Sequence, residues 1–329
     1  MAKIIGLGNA LVDLIINIDD DNLLDSFDLP KGSMTLVDEK KASLILEKTK
    51  HLKYQIAAGG SASNTIDGLA SLGLNCGYIG KIGHDPYGEL FKKEMISRHI
   101  DPVLFYADIQ TGTAITLLSS DAERTFATYL GAADQLTSTD IESSHFKGYD
   151  YLHIEGYLVQ NHKLITKALI MAKKAGMRIS MDMASYNIVE ANKDFLHDLI
   201  KNNVDIVFAN EEEAKSLTGK QPEEALHEIS FWCDIAIVKI GKEGSWLKSK
   251  DDIIKVEGIQ AVLKDTTGAG DLYAAGFLYG LANNLDLEQC GRIGSLLGGK
   301  TVEIYGARLK PEQWIEIEKI IGDLERSKN

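Results

Sequence analysis

Proline and cysteine are both scarce in this 329-residue chain, which carries 5 of the first and 3 of the second. So little proline leaves no Pro-rich linker, and no low-complexity tract or internal repeat divides the sequence. A single domain over residues 1–329 is therefore expected. Cys76, Cys233 and Cys290 are odd in number and far apart, with no CxxC pair, which argues against a disulfide framework and against a cysteine-built zinc site. Basic residues are outnumbered, 35 Lys and Arg against 48 Asp and Glu, for a net charge of -13. Proteins that hold nucleic-acid backbones concentrate Lys and Arg on one face, so nucleic acid is not an expected partner. Also missing is any apolar run near the ~20 residues that cross a bilayer, and no membrane partner is expected. Gly6, Gly8, Asn9 and Asp13 interrupt the apolar N-terminus and no small-residue cleavage site follows, so it reads as a strand. Reduced thiols in a cytoplasmic protein fit these absences.

What is present is alternation. Short apolar, β-branched runs at residues 3–8, 76–83, 151–156, 178–183, 205–210 and 234–241 read as buried strands. Between them, residues 64–73, 87–100, 163–176 and 193–203 carry helical spacing. Strand and helix alternating this way predict an α/β fold, a mostly parallel central sheet with helices on both faces. Two segments break the pattern. Residues from about 12 to 38 and from about 104 to 130 are rich in Thr, Val, Ile and Tyr with hairpin-like punctuation, and predict a small antiparallel β lid beside the main sheet.

Two glycine-rich stretches compete as phosphate sites. "GSLLGGKT", residues 294–301, fits the P-loop pattern, but Leu287, Cys290, Ile293, Leu297 and Thr301 fall at helical spacing and no strand leads in. That match lies inside a helix, where its glycines serve close helix-on-sheet packing. "DTTGAGDLYAAGFLYGLANN", residues 265–284, instead runs from small polar residues directly into an amphipathic helix. Gly268 and Gly270 let the backbone approach a ligand, and the first helical N–H groups with the positive helix end make an anion hole. Asp271 sets a carboxylate beside it, placed to take a proton from a hydroxyl. Taken alone, the same residues also describe a turn and a helix cap.

At this point the chain resembles the ribokinase-like, or PfkB, carbohydrate and nucleoside kinases, over nearly its whole length. "DTTGAGD" is similar to that family's C-terminal signature, and "GGSASNTIDGLASLG", residues 59–73, to its N-terminal one. The resemblance implies a ribokinase-like fold, Asp271 as catalytic base, and Gly268, Ala269 and Gly270 as the anion hole. It makes Asp13, Gly60 and Asn64 holders of sugar hydroxyls, a task one carboxylate and one amide can perform on a vicinal diol. Asn210 and Glu213 in "NEEEA" match the element tied to Mg²⁺ and phosphate placement, through waters because Mg²⁺ dehydrates reluctantly. A solvated acidic helix start is the plain alternative for them. Lys239, Gly241 and Gly244 in "KIGKEG" resemble the strand-loop along the nucleotide. Arg124 looks like a lid arginine over substrate or phosphates, though an exposed hairpin Arg is as often merely solvated. Asp265 and Thr267 suit the family's monovalent cation site.

The expected activity is transfer of a phosphoryl group from ATP, with Mg²⁺ and with K⁺ as a further candidate. "GNALVD", "LPKGSMTLVD" and "RTFATYLGA" look more like the adenosine-kinase-like branch than like ribokinase or fructokinase. A nucleoside acceptor at its 5′-hydroxyl is thus the leading expectation. A kinase of a free sugar or sugar phosphate, and an idle nucleoside-binding regulator, are the alternatives. The lid's free edges also suggest pairing of two copies in a homodimer.

Overall fold

The computed structural model describes residues 2–121, 123–250 and 252–326. Its strands, in chain order, are β1 (Lys3–Leu7), β2 (Leu11–Asn17), β3 (Met34–Leu36), β4 (Tyr54–Gly59), β5 (Asn75–Gly83), β6 (Ile100–Ala107) and β7 (Thr111–Leu118). They continue with β8 (Arg124–Gly131), β9 (Tyr151–Glu155), β10 (Arg178–Asp182), β11 (Ile206–Asn210), β12 (Ile235–Lys239), β13 (Ser245–Ser249) and β14 (Asp252–Val256). Nine form one sheet in the order β14-β13-β12-β11-β10-β9-β1-β5-β6. All its pairings are parallel except the two that add β13 and β14.

Helices cover both faces. One core cluster joins Ile66, Leu69, Leu272, Phe277, Ile293 and Trp314 on one side. The other joins Leu164, Leu169, Leu199, Ile200, Ala214 and Leu226 on the opposite side. This is the layering that the alternation predicts, because strands buried on both faces need continuous apolar runs. Cys76 and Cys290 are buried and free, and Cys233 is half-buried and free. None of the described helices is long and apolar enough to cross a membrane.

The remaining strands form a second sheet in the order β3-β8-β7-β2-β4. It is mixed rather than purely antiparallel: β2–β4 and β7–β8 run antiparallel, while β2–β7 and β3–β8 run parallel. Its membership also departs from the predicted segments. Residues 104–107 close β6, which pairs with β5 in the main sheet, and β4 joins the lid from outside both segments. Period-two alternation then fixes which side chains face where. Val12, Leu14 and Ile16 point away from the cleft into the core, exposed by 0, 2 and 1%. Leu11, Asp13 and Ile15 are the alternate set and line the cleft between lid and sheet.

The glycines of "GSLLGGKT" fall inside the helix Leu287–Thr301, as the spacing requires. They serve mainly helix-on-helix contact rather than contact with the sheet. A Cβ on Gly294 would stand 3.0 Å from Tyr273, and one on Gly298 3.0 Å from the Ala269 carbonyl. Gly291 alone in this helix fits the sheet-packing reading, with Leu247 at 2.6 Å. Across the same seam, a Cβ on Gly276 would meet the Ile293 carbonyl oxygen at 2.6 Å, and backbone cannot swing away. Replacing Gly276 with Val gains a few tenths of a kcal/mol in helix propensity. Overpacking costs about 1–3 kcal/mol and wins. Gly276→Val should therefore lower the unfolding free energy by that difference, read as a lower urea midpoint at unchanged slope; an unchanged midpoint would show the seam to be loose.

Candidate active site

Parallel strands end where ligands gather, in the crevice beyond their carboxyl ends. Five functional side chains are delivered that way: Asn9 just after β1, Glu155 at the end of β9, Asp182 at the end of β10, Asn210 at the end of β11 and Lys239 at the end of β12. They line a cleft of about 1190 Å³ whose other wall is the lid. The start of the helix Ala269–Ala282 forms its floor, with Gly268, Gly270 and Asp271 in the lining.

Gly268 caps that helix at φ 75°, a conformation that favours glycine, and a Cβ there would strike Ala307. The tight entry leaves helical N–H groups without partners, as helix starts do. Among the described residues, the amides of Gly268, Gly270 and Asp271 donate to no protein group. Ala269 differs: its N–H reaches the Thr266 carbonyl at 3.2 Å, so this expected member of the anion hole has its donor occupied. Ala269 also lies outside the cleft lining, and three amides rather than four face an anion.

Asp271 is gripped from the neighbouring helix Ser61–Ser71. Ser61 Oγ donates to Oδ1 at 2.7 Å and Asn64 Nδ2 to Oδ2 at 2.9 Å. Burial pushes the Asp271 carboxyl up to about 6, against those two hydrogen bonds, which favour the anion. The group is thus fixed in space and titrates close to neutrality, as a general base requires.

Asp13, Gly60 and Asn64 line the same cleft, Asn64 in direct contact with Asp271. Gly60 holds φ 92° at the start of its helix, and a Cβ would collide with the Asn9 carbonyl. Asn64 Oδ1 is buried with no partner, in a residue that lines the cleft. Burial pushes Asp13 up to about 7; Arg308 opposes that shift, while Asp271 and Glu94 add to it. Glu155 braces the whole corner. Its carboxylate accepts from Asn9 N at 2.9 Å, Asn9 Nδ2 at 2.6 Å and Ala62 N at 3.0 Å. Burial nonetheless raises it to about 7.

At the third corner, Asn210 and Glu213 are tied to each other. Asn210 N and Nδ2 donate to Glu213 at 2.8 and 2.7 Å, and Glu213 N returns a bond to Asn210 Oδ1 at 2.9 Å. Glu213 is raised by burial and by Asp182, with Lys239 opposing. Lys239 Nζ donates to Asp182 Oδ2 at 2.7 Å. Burial works against its charge, but Asp182, Glu213 and Asp271 together raise its pKa. It also approaches the anion hole, 3.1 Å from where a Gly270 Cβ would sit. Gly241 and Gly244 do not line the cleft; their positive φ angles of 56° and 99° shape the β12–β13 turn, where a Gly244 Cβ would strike Val256.

No group of three or more His, Cys, Asp or Glu among the described residues could cage a metal. Asp265 is already satisfied. It accepts from Thr267 N at 2.6 Å and Gly306 N at 2.7 Å, and forms an ion pair with Arg124. Arg124 Nη1 also donates to Thr267 Oγ1 at 3.1 Å, so the lid arginine docks on the phosphate loop itself. In this structure the Arg124 guanidinium is the cation that faces Asp265.

Comparison with known proteins decides the family. The sequence model for pfkB family carbohydrate kinases matches residues 33–314. The chain belongs to the PfkB family. As a PfkB protein it is an ATP-dependent kinase of a small sugar or nucleoside. A probable sugar kinase from Rhizobium etli CFN 42 superposes with a TM-score of 0.88 at 30% identity, over 98% of this chain and 99% of that one. The adenosine kinase from Sinorhizobium meliloti gives 0.87 at 30% identity, over 97% and 99%. A 5-dehydro-2-deoxygluconokinase from Bacillus licheniformis is 27% identical over 280 residues, 80% of this chain and 86% of its own.

Sequence reasoning missed Asn9, Ser61, Glu155, Asp182 and Arg308. The first four carried a signal: each polar residue ends a predicted strand or follows the paired glycines. Burial of so many acids also predicts a pH effect. Asp13, Asp271 and Glu155 move from 3.8, 3.8 and 4.5 to about 7, 6 and 7 on folding. The folded state then binds more protons, so their contribution is complete below the unfolded values and is lost as pH rises through about 6 to 7. The ligand-free protein should melt at lower temperature at pH 8 than at pH 6. A flat or rising Tm would count against these shifts.

Proposed function

We propose that this kinase moves the γ-phosphoryl group of ATP onto a primary hydroxyl of a ribose-containing acceptor, the 5′-hydroxyl of adenosine or a related nucleoside. One observation carries the reading: Asp271 and its three free amides stand in one cleft with the Asp13 and Asn64 pair, under a lid face that is largely apolar. Leu11, Ile15, Met34, Leu36, Phe126 and Leu130 line that face. A planar base suits such a wall, and a ribose diol suits Asp13 with Asn64.

In the reaction, Asp271 takes the hydroxyl proton as the acceptor oxygen bonds to the γ-phosphorus and the bridge to the β-phosphate breaks, releasing ADP. The Gly268, Gly270 and Asp271 amides hold the charge on the moving group. Lys239 adds a fixed cation beside them. Mg²⁺, when bound, neutralises phosphate charge. Arg124 closes the lid onto the loop and keeps water from competing with the acceptor. Pairing of two copies through the lid edges β3 and β4, where Met34, Leu36 and Tyr54 are exposed by 49, 56 and 54%, belongs to the same proposal.

The test is ADP release with Mg-ATP and adenosine, inosine, guanosine, ribose, fructose or 5-dehydro-2-deoxygluconate. Turnover is expected with a nucleoside; turnover with a free sugar alone would overturn the acceptor assignment. Asp271→Asn should lower kcat by about 10²–10⁴-fold while acceptor binding persists. The base must be ionised, so kcat/KM should climb with pH through about 6 to 7 and then level off.

A further inference from the structure

Behind the acceptor corner, outside the cleft lining, lies a half-buried charge cluster that none of the roles above uses. Arg308 Nε and Nη2 both donate to the Ala58 carbonyl, at 2.9 and 2.7 Å. Nη2 also meets Ser63 Oγ at 3.3 Å, and Nη1 pairs with Asp67 Oδ1 at 2.6 Å. Asp67 is 4% exposed. The Ala58 N–H is held from the other side by Glu94 Oε2 at 2.8 Å. Both backbone groups of one residue are therefore tied to ionised side chains.

Ala58 sits where this matters. In the β2–β4 ladder it lies opposite Val12, and its neighbours Ala57 and Gly59 lie opposite Asp13 and Leu11. Gly59 packs directly on the Asp13 carboxylate, and Gly60 follows it. We propose that Arg308 is the positioning residue of the acceptor site, clamping β4 beside Asp13 and supplying the counter-charge behind that carboxylate.

Three charges bear on Asp13: Arg308 from the 302–310 segment attracts it, while Asp271 from the Ala269–Ala282 helix and Glu94 from the Pro86–Ser97 helix repel it. Opposite Asp13 on the β7 side stands Ala114, which is uncharged. Asp67 and Arg98, themselves 3.4 Å apart, lie beyond Arg308. Arg308 is thus the cation that offsets two repulsions and burial. An acceptor diol is held best by Asp13 as an anion, since both oxygens of the ionised carboxylate then accept charge-assisted hydrogen bonds from the two hydroxyls. Removing Arg308 should loosen β4 and leave Asp13 protonated to higher pH.

The inference rests on Asp13 holding the acceptor, as the proposed function has it, and uses whichever acceptor the wild-type enzyme turns over. Arg308→Met should raise the acceptor KM about 10- to 100-fold, the scale of a small misplacement, with the KM for ATP unchanged. The acid limb of acceptor kcat/KM should move up by about one pH unit or more. Arg308→Lys keeps the charge and should return the limb while restoring only part of the KM. Because Arg308→Met leaves the buried Asp67 with only the longer Arg98 contact at 3.4 Å, it can fail to fold. The Asp67→Asn, Arg308→Met double variant removes that poorly compensated charge, and the shifted limb should persist in it. A folded double variant with the wild-type limb and acceptor KM would overturn the role of Arg308. Asp13→Asn separates the two readings. If it too keeps the wild-type acceptor KM, the acceptor site itself is misassigned; if its KM rises while the Arg308 variants match wild type, only the inference on Arg308 is wrong.

Discussion

Two helices begin at the same place, and the site depends on that convergence. The helix Ser61–Ser71 crosses the helix Ala269–Ala282 closely because Gly68 carries no side chain; a Cβ there would stand 2.8 Å from both Ala275 and Leu272. Their first turns then meet, so Ser61 and Asn64 reach the carboxylate of Asp271 across 210 and 207 positions of sequence. Each helix brings unpaired amides and a positive end to one spot. A side chain at position 68 would part the helices and separate the base from the two groups that aim it.

Charge is the second constraint. The cleft gathers Asp13, Glu155, Asp182, Glu213, Asp265 and Asp271, with Lys239 and Arg124 inside it and Arg308 behind. Each cation faces a particular acid: Lys239 faces Asp182, Arg124 faces Asp265, and Arg308 faces Asp67 and acts on Asp13. The acids without such a partner, Glu155, Glu213 and Asp271, are raised toward neutrality by burial. An acidic protein of this family can thus receive an anionic nucleotide, because free backbone amides, Lys239 and Arg124 stand together around the loop that starts the Ala269–Ala282 helix.

Much of this was legible in the sequence, for physical reasons. Strands buried on both faces must be apolar throughout, so β1, β5, β9, β10, β11 and β12 stand out as runs. The Gly268 to Asp271 stretch is local, so its turn, helix start and carboxylate can be read together. The helical spacing around Gly294 likewise ruled out a nucleotide loop at residues 294–301. What stayed hidden is what arises between distant segments. β4 reads "YQIAAG", with one β-branched residue and an exposed first half, and becomes a strand because β2 offers it a partner. β6 has the same composition as the lid but is captured by β5. Nothing local distinguishes the occupied amide of Ala269 from its three free neighbours. Arg308 lies 250 positions from the carbonyl it grips.

That separation governs how the protein comes into being. Gly306 donates to Asp265, Ala307 packs under Gly268, and Arg308 secures Ala58. Three successive residues thus lock the phosphate loop, the helix start and the acceptor strand. During synthesis on a ribosome, β1 to β14 can be paired while residues 306–308 have yet to be added. Until they arrive, the loop at Gly268 and the strand β4 lack the contacts that Gly306, Ala307 and Arg308 supply.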